Sequence, residues 1–234
     1  MQDDSATLSG EDARHLTRVL RVQPGQQYEI SDGHSAWLAE IVETRGDRVL
    51  FRVLEAVDTP SPPVRILLCA SLIKFDRFEW IVEKATELGV ERILPVQAGR
   101  TEKGLLEASV KRAERWRRIA REAAQQSRRA TIPEILPALR FSQALNPEGE
   151  YRYFLDEADA TPILHALPAN PASSDRVAVL LGPEGGWTDD ERRTALEARW
   201  RAVSLGPQIL RAETAAAAAA AVLTAAWLPA YNRT

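Results

Sequence analysis

Two segments of the chain set glycine turns beside groups able to do chemistry. Leu181-Gly-Pro-Glu-Gly-Gly-Trp187 follows the most apolar strand-like run, Arg176 to Leu181, and precedes Thr188 and Glu191, whose spacing is that of a helix capping box. Open α/β sheets bind ligands outside the carboxyl ends of their strands, and glycines there let backbone come close to a ligand. The same glycines also suit a plain strand-to-helix turn that needs positive φ. Their spacing fits neither a dinucleotide fingerprint nor a P-loop, and no Lys-Ser/Thr follows, so a phosphate cradle is a poor fit. Leu205-Gly-Pro-Gln-Ile-Leu-Arg-Ala-Glu-Thr214 repeats the arrangement at the next strand end. The two loops would wall one pocket, with Leu181, Leu205, Ile209 and Leu210 as its apolar surface. Arg211 and Glu213 then flank a helix start. They are either reacting groups carried by a pocket loop or an exposed cation beside a favourable first-turn charge.

A second chemical feature is charge. Lys111 to Arg129 holds eight basic residues and two acidic ones, with Trp116 among the arginines, although the whole chain carries a net charge of -3. Such a run is either a solvated helix face or the footprint of a phosphate-binding surface. Arg14, Arg18 and Arg21 add a second basic strip at helical spacing near the amino terminus. Together the two strips suggest RNA or DNA. Other chemistries lack their residues. No Gly-x-Ser-x-Gly elbow is present, and one cysteine (Cys69) with three widely spaced histidines makes neither a disulfide nor a zinc centre. No metal is expected.

The elements that must position these groups change character along the chain. Ser9 and Asp12 predict a short capped helix whose apolar face is Leu16, Val19 and Leu20. Strands are then expected over Gln27–Ile30, Trp37–Val42 and Arg48–Leu54, with tight hairpins at Asp32-Gly33 and Arg45-Gly46-Asp47. Three prolines between Asp58 and Val64 read as a stiff linker and a domain boundary. Beyond it strands and helices alternate, the sign of a mostly parallel sheet. Strands are expected at Val64–Ala70, Ile93–Val96, Ile132–Leu136, Tyr151–Leu155, Arg176–Leu181 and Ala202–Leu205. Helices are expected from an Asp76/Glu79 cap to Leu88, over Leu105–Arg129, from Thr188 to Arg199, and over the alanine-rich Glu213–Leu228. With 45% hydrophobic and 27% charged residues the chain is not disordered. The polar, acidic start is no signal peptide, and the alanine run is too short and weakly apolar to span a membrane. A soluble, reduced, cytoplasmic protein is expected.

Several of these segments resemble one family. Leu72-Ile-Lys-Phe-Asp-Arg-Phe-Glu-Trp-Ile-Val-Glu-Lys-Ala-Thr-Glu-Leu-Gly-Val-Glu-Arg-Ile-Leu-Pro-Val96, Arg115-Trp-Arg-Arg-Ile-Ala120 with Gln126-Ser-Arg128, and the two glycine loops are similar to the RsmE family, the ribosomal RNA small subunit methyltransferases E of the SPOUT superfamily. His15-Leu-Thr-Arg-Val-Leu-Arg21 and Pro24-Gly25 resemble its amino-terminal domain, so the resemblance spans nearly the whole chain. It implies S-adenosyl-L-methionine-dependent methylation of N3 of a uridine in 16S ribosomal RNA. It also implies an α/β protein with a PUA-like β-barrel over 1–60, a SPOUT domain with a deep trefoil knot over 64–234, and a homodimer through the latter. The polar residues before Leu8 stand where family members carry a basic-aromatic strand, so the barrel is expected to lack its first strand. Gln125-Gln-Ser-Arg-Arg129 departs from the family's Glu-Gln-Ser-Gly-Arg.

The cofactor would lie on Leu181, Gly182, Pro183, Glu184, Gly185, Gly186, Leu205, Gly206, Ile209, Leu210, Ala212 and Thr214. Arg211 would stabilise charge on the deprotonated uridine, Glu213 would hold that arginine or take the proton, and Arg128 or Arg129 would position the target nucleotide. Arg14, Arg18, Arg21, Arg112, Arg115, Arg118 and Arg121 would bind RNA of the small ribosomal subunit. Two other readings compete: a non-catalytic RNA-binding protein that kept the fold, and a methyltransferase of another RNA.

Overall fold

A computed structural model describes residues 4–58, 62–158 and 160–228. The chain divides into two compact units, Met1–Pro60 and Ser61–Thr234. The centre of the proline linker, residues 59–61, lies outside the described residues.

The first unit contains β1 (Ser5–Ser9), α1 (Glu11–Arg14) running into a π-helical turn over His15–Val19, β2 (Gln27–Ser31), β3 (Ala36–Arg45) and β4 (Arg48–Val57). The strands form one antiparallel sheet in the order β1-β4-β3-β2. The expected loss of a first strand is corrected by β1. It pairs with β4 from Ser5 opposite Arg52 to Ser9 opposite Arg48, because Ala6 and Leu8, two residues apart, both turn toward the core. Ser9 is therefore a strand residue rather than a helix cap, and α1 is capped by Gly10 with no side-chain bond. The expected apolar helix face is also revised. Ala13 and Leu16 pack inward, while Val19 and Leu20 are 65% and 54% exposed.

The second unit is built on a sheet of parallel pairings. Its elements are β5 (Arg65–Ser71), α2 (Phe75–Glu87), β6 (Arg92–Gln97), α3 (Leu105–Gln126), β7 (Glu134–Ile135), β8 (Leu139–Arg140), α4 (Phe141–Ala144), β9 (Tyr151–Leu155), β10 (Thr161–Pro162), α5 (Ile163–Ala166), β11 (Arg176–Leu181), α6 (Asp189–Glu197), β12 (Arg201–Ser204) and α7 (Ala212–Ala226). Strand order is β10-β12-β9-β11-β5-β6-β7, with β8 also on β6.

The central strands are buried on both faces, which explains their unbroken apolar sequence. Ile66, Leu68 and Ala70 of β5, with Val177, Val179 and Leu181 of β11, meet α2, α3 and α7. The alternate residues Leu67, Cys69, Ala178 and Leu180 meet the core that contains Phe141, Ala195 and Trp187. Burial pushes the Cys69 thiol up to about 12, so it is inert at neutral pH.

Trp116 belongs to the core and not to a phosphate-binding face. It is 1% exposed, and its ring lies 4.6 Å from that of Phe78 and 5.8 Å from that of Phe75. The periodicity Ser109, Trp116, Ala120, Ala123, Ala124 is simply the buried stripe of α3. Helix α2 starts at Phe75 behind Lys74, one residue before the expected Asp76 cap, and leaves Asp76 as a first-turn charge. The Thr188/Glu191 capping box forms as its spacing predicts. Replacing Trp116 with alanine should remove about 3–5 kcal/mol of stability in urea unfolding, since it empties the space between α2 and α3. A loss below about 1 kcal/mol would mean the indole is not a core element.

Candidate active site

The chain reverses its direction of travel across the sheet at β5 and β11, which lie side by side in register from Arg65 opposite Arg176 to Ala70 opposite Leu181. The crevice that such a reversal favours opens on the β11 side of it, outside the carboxyl ends of β9, β11 and β12. There Leu155, Leu181, Val203, Leu205, Ala212 and Ala215 line a cavity of about 290 Å³, whose polar rim includes Arg77, Asp156, Glu157, Glu184, Gln208 and Arg211.

One wall is the Gly182–Gly186 turn. A side chain on Gly182 would stand 3.0 Å from the Trp187 indole, so this glycine makes room for a tryptophan rather than for a ligand. Trp187 is 2% exposed, donates its ring N–H to Leu155 O at 2.8 Å and stacks on Phe154 at 4.8 Å. Gly186 has φ of 69° and closes the turn by donating its N–H to Pro183 O at 2.9 Å. Glu184 forms an ion pair with Arg77 from the first turn of α2, so the turn is tied to the helix across the cavity. Arg100 holds it from another side, donating to Gly185 O at 2.7 Å.

The second wall is Leu205–Arg211. Gly206 has φ of 138°, a conformation that L side chains rarely adopt. Ile209 is 80% exposed and Leu210 partly so, which leaves two apolar side chains at the cavity mouth without cover. Arg211 caps α7 with extended backbone and lies on the rim with no ion pair among the described residues.

The sequence-predicted residues divide clearly. Leu181, Gly182, Pro183, Glu184, Gly186, Leu205, Gly206, Ile209, Leu210, Arg211 and Ala212 are brought together on the cavity, whereas Gly185 and Thr214 do not line it. Glu213 does not line it either. One of its carboxylate oxygens is buried without a hydrogen-bond partner, and no ion pair joins it to Arg211, so the expectation that it holds that arginine is corrected.

Arg128 and Arg129 are also corrected. Helix α3 stops at Gln126, and Arg129 donates to the carbonyls of Thr86 and Val90 beyond the carboxyl end of α2. That is the opposite end of a helix roughly 20 Å long, next to the start of β6, so Arg129 staples a helix end and does not reach the cavity. Burial lowers its pKa from the usual value. Arg128 is exposed with φ of 55° in the turn that delivers Arg129 to those carbonyls.

The basic helix is partly neutralised. Arg115 makes a two-pronged bond to Glu79 at 2.6 and 2.8 Å, Arg112 lies over the Phe75 ring at 5.1 Å, and Arg118 stands 3.7 Å from Glu122. Arg121 has no ion pair among the described residues. In the first unit Arg14, Arg18 and Arg21 are exposed, but Arg21 lies past the helical turn with φ of 51°, which breaks the expected strip.

Sequence reasoning missed Arg77, Arg100, Asp156, Glu157, Trp187 and Gln208. Asp156 and Glu157 follow β9 directly, and their position at a strand end was the available signal. Asp156 is held by Arg192 at 2.8 and 3.2 Å, which raises the arginine's pKa from its ordinary value. Among the described residues no group of three or more His, Cys, Asp or Glu forms a metal cluster, and no helix is long and apolar enough to cross a membrane.

A cleft at the strand ends of a parallel sheet, in a chain that also carries a small antiparallel domain, has clear counterparts among known proteins. The family model described as an RNA methyltransferase domain matches residues 60–224, and one described as an RNA methyltransferase PUA domain matches residues 8–54, which makes this chain an RNA methyltransferase by class. It is 36% identical to the ribosomal RNA small subunit methyltransferase E of Mycobacterium tuberculosis (strain CDC 1551 / Oshkosh), over 95% of this chain and 88% of that protein. The Bacillus subtilis (strain 168) protein of the same name is 32% identical, over 89% of this chain and 85% of its own length. The crystal structure of the Neisseria gonorrhoeae ribosomal RNA small subunit methyltransferase E bound to S-adenosyl methionine superimposes with a TM-score of 0.85 at 33% identity, covering 95% of this chain and 92% of that one. The chain belongs to the ribosomal RNA small subunit methyltransferase E family.

The capping carboxylate of α6 has a second task at this site. Glu191 is 7% exposed and accepts from Gly99 N at 2.6 Å and from Thr188 N at 2.9 Å, which pins the 98–104 loop to α6. Glu191→Ala should cost about 1–3 kcal/mol by leaving these donors unmet, and amide exchange at Gly99 and Thr188 should quicken. Unchanged exchange at Gly99 would show that the loop is held elsewhere.

Proposed function

We propose that this protein methylates N3 of a uridine in 16S ribosomal RNA with S-adenosyl-L-methionine as donor. The observation that carries the reading is the cavity that joins both glycine loops and sets Arg211 on its rim. At about 290 Å³ it stands at the lower end of the roughly 300–1,000 Å³ common for small-molecule sites. Its residues fit the donor: aliphatic floor for adenine and the methionine chain, closely approached backbone at Leu205–Leu210 for polar atoms, and the Glu157 carboxylate, which has no ion pair among the described residues, to balance positive charge. Such a donor supplies an already activated methyl group, so the protein's task is alignment and exclusion of water.

The chain's own residues account for the rest. Leu181, Leu205 and Leu210 keep water from the face where the base must enter. The imide N3 gives up its proton to water at the open cavity mouth before the base seats, and the negative charge left on N3 is shared with the flanking carbonyl oxygens O2 and O4. The Arg211 guanidinium, with no ion pair among the described residues, can direct its N–H donors at that charge. Arg77 is a second cation on the rim, restrained by Glu184. Arg112, Arg118 and Arg121 of α3, and Arg14, Arg18 and Arg21 of the first unit, are the phosphate contacts of this reading, with Arg115 reduced to a bond with Glu79.

The finer architecture follows the same reading: a knotted chain after Leu205, a PUA-like barrel in the first unit, a homodimer through the second unit, and a cytoplasmic enzyme acting on the small ribosomal subunit. Support for close threading comes from α7, whose Ala215, Ala216, Ala219 and Ala220 are buried and whose Thr224 donates to Leu88 O at 2.9 Å.

Mass spectrometry of nucleosides from 16S ribosomal RNA incubated with protein and S-adenosyl-L-methionine should find 3-methyluridine; unmodified RNA alongside intact donor binding would favour a non-catalytic RNA-binding protein. Arg211→Lys retains charge but loses the planar fork. It should slow single-turnover transfer on the order of 10²–10³-fold while donor affinity by calorimetry changes little. A normal rate would make Arg211 structural.

A further inference from the structure

On the far side of Arg100 from the donor cavity lies a second concavity, of about 440 Å³, lined by Ala98, Gly99, Thr101, Lys103, Arg140 and Ser142 among others. It stands at the carboxyl ends of β6 and β8, where Gln97 pairs in register with Arg140, and so opens on the same edge of the sheet as the cavity. Lys103 and Arg140 are exposed, and neither side chain has an ion pair among the described residues. Thr101 accepts from Ala98 N at 3.0 Å with its hydroxyl oxygen, which leaves the O–H to donate, and the Ser142 hydroxyl is exposed. The carboxylate in the lining is Glu191, and both of its oxygens are engaged, by Gly99 N on one and by Thr188 on the other. Glu102, next to Lys103 in the chain, is exposed and does not line the concavity. Two cations, two hydroxyl donors and a carboxylate already satisfied make a site for an anion.

The position of Arg100 says which anion. Its guanidinium bonds Gly185 O, and its side chain lies 3.3 Å from where a side chain on Gly185 would begin, so one residue separates this concavity from the wall of the donor cavity. A nucleic-acid strand that inserts a base into the cavity must lay its neighbouring nucleotides over the adjoining surface, and this flank carries unpaired positive charge. The lining mixes polar side chains with Ala98 and Phe141, and Phe141 is buried, so what the concavity offers at its surface is the two exposed cations and the hydroxyls, which suit a backbone phosphate.

We propose that the Lys103/Arg140 concavity binds a backbone phosphate of the RNA strand beside the target nucleotide. The proposal rests on the reading of the cavity as the methyl-donor site, and it adds a contact that sets the strand's register there. Phosphate contacts of this kind position a substrate without reading its sequence.

The test uses the full chain loaded with S-adenosylhomocysteine, with 16S ribosomal RNA as probe. The double variant Lys103→Ala/Arg140→Ala should bind RNA roughly tenfold more weakly at moderate salt. The slope of log affinity against log salt should become shallower by about 0.7 for the lost phosphate. Donor affinity by calorimetry and the thermal midpoint should be unchanged. Arg176→Gln, which removes a positive charge at the other end of the same sheet, should leave RNA affinity as it is. Unchanged RNA affinity and salt slope in the double variant would overturn the proposal, and so would weaker donor binding, which would make these residues supports of the Gly185 turn. Wild-type protein that binds donor and RNA but yields no 3-methyluridine would refute the catalytic reading alone, and the RNA-affinity comparison would still decide the phosphate site.

Discussion

Trp187 shapes the Gly182–Gly186 turn from beneath. Its indole lies against Gly182, stacks on Phe154 and donates to Leu155 O, so it touches the ends of β11 and β9 at once. Those two strands are neighbours in the sheet, and the tryptophan fixes how the chain leaves one relative to the end of the other. Without a bulky, hydrogen-bonded residue there, the turn would have no reason to stand away from the sheet and leave a cavity above Leu181 and Leu155. The packing density of protein interiors makes this a rigid constraint.

The remaining contacts around the site hold loops to that fixed point. Arg77 reaches Glu184 from α2, Arg100 reaches the Gly185 carbonyl, and Glu191 gathers the amides of Gly99 and Thr188. Exposed ion pairs contribute little stability, typically below about 1 kcal/mol. Their value here is positional, because α2 and the 98–104 loop both bond the Gly182–Gly186 turn. A donor with its methyl group already activated requires little acid–base chemistry from the protein, and an enclosure with Arg211, unpaired among the described residues, at its mouth meets that requirement.

Much of this was legible from sequence, for identifiable reasons. The parallel sheet announced itself through apolar runs such as Arg176–Leu181, which only a strand buried on both faces carries, and the two glycine loops stood at strand ends where a crevice must open. The Thr188/Glu191 box was visible as a cap, but not the bond from Gly99, a residue 92 positions away. Trp116 misled because local composition cannot tell a tryptophan on the buried stripe of a basic helix from one on its solvent face. Arg128 and Arg129 misled for a related reason: which end of a helix faces the site depends on the crossover direction, and the carboxyl end of α3 points away from the strand ends. Arg77 and Arg100 act across long sequence separations and left no local signal.

In the proposed site, backbone at the two glycine loops, shaped from below by Trp187, encloses the methyl donor. Hydrogen exchange of the full chain with and without S-adenosyl-L-methionine tests it most directly. Exchange should slow only in peptides covering 155–158, 182–187 and 205–212, while the 126–132 segment at the other end of α3 is unaffected. Protection absent from the 182–187 and 205–212 peptides, or centred on 126–132, would contradict it.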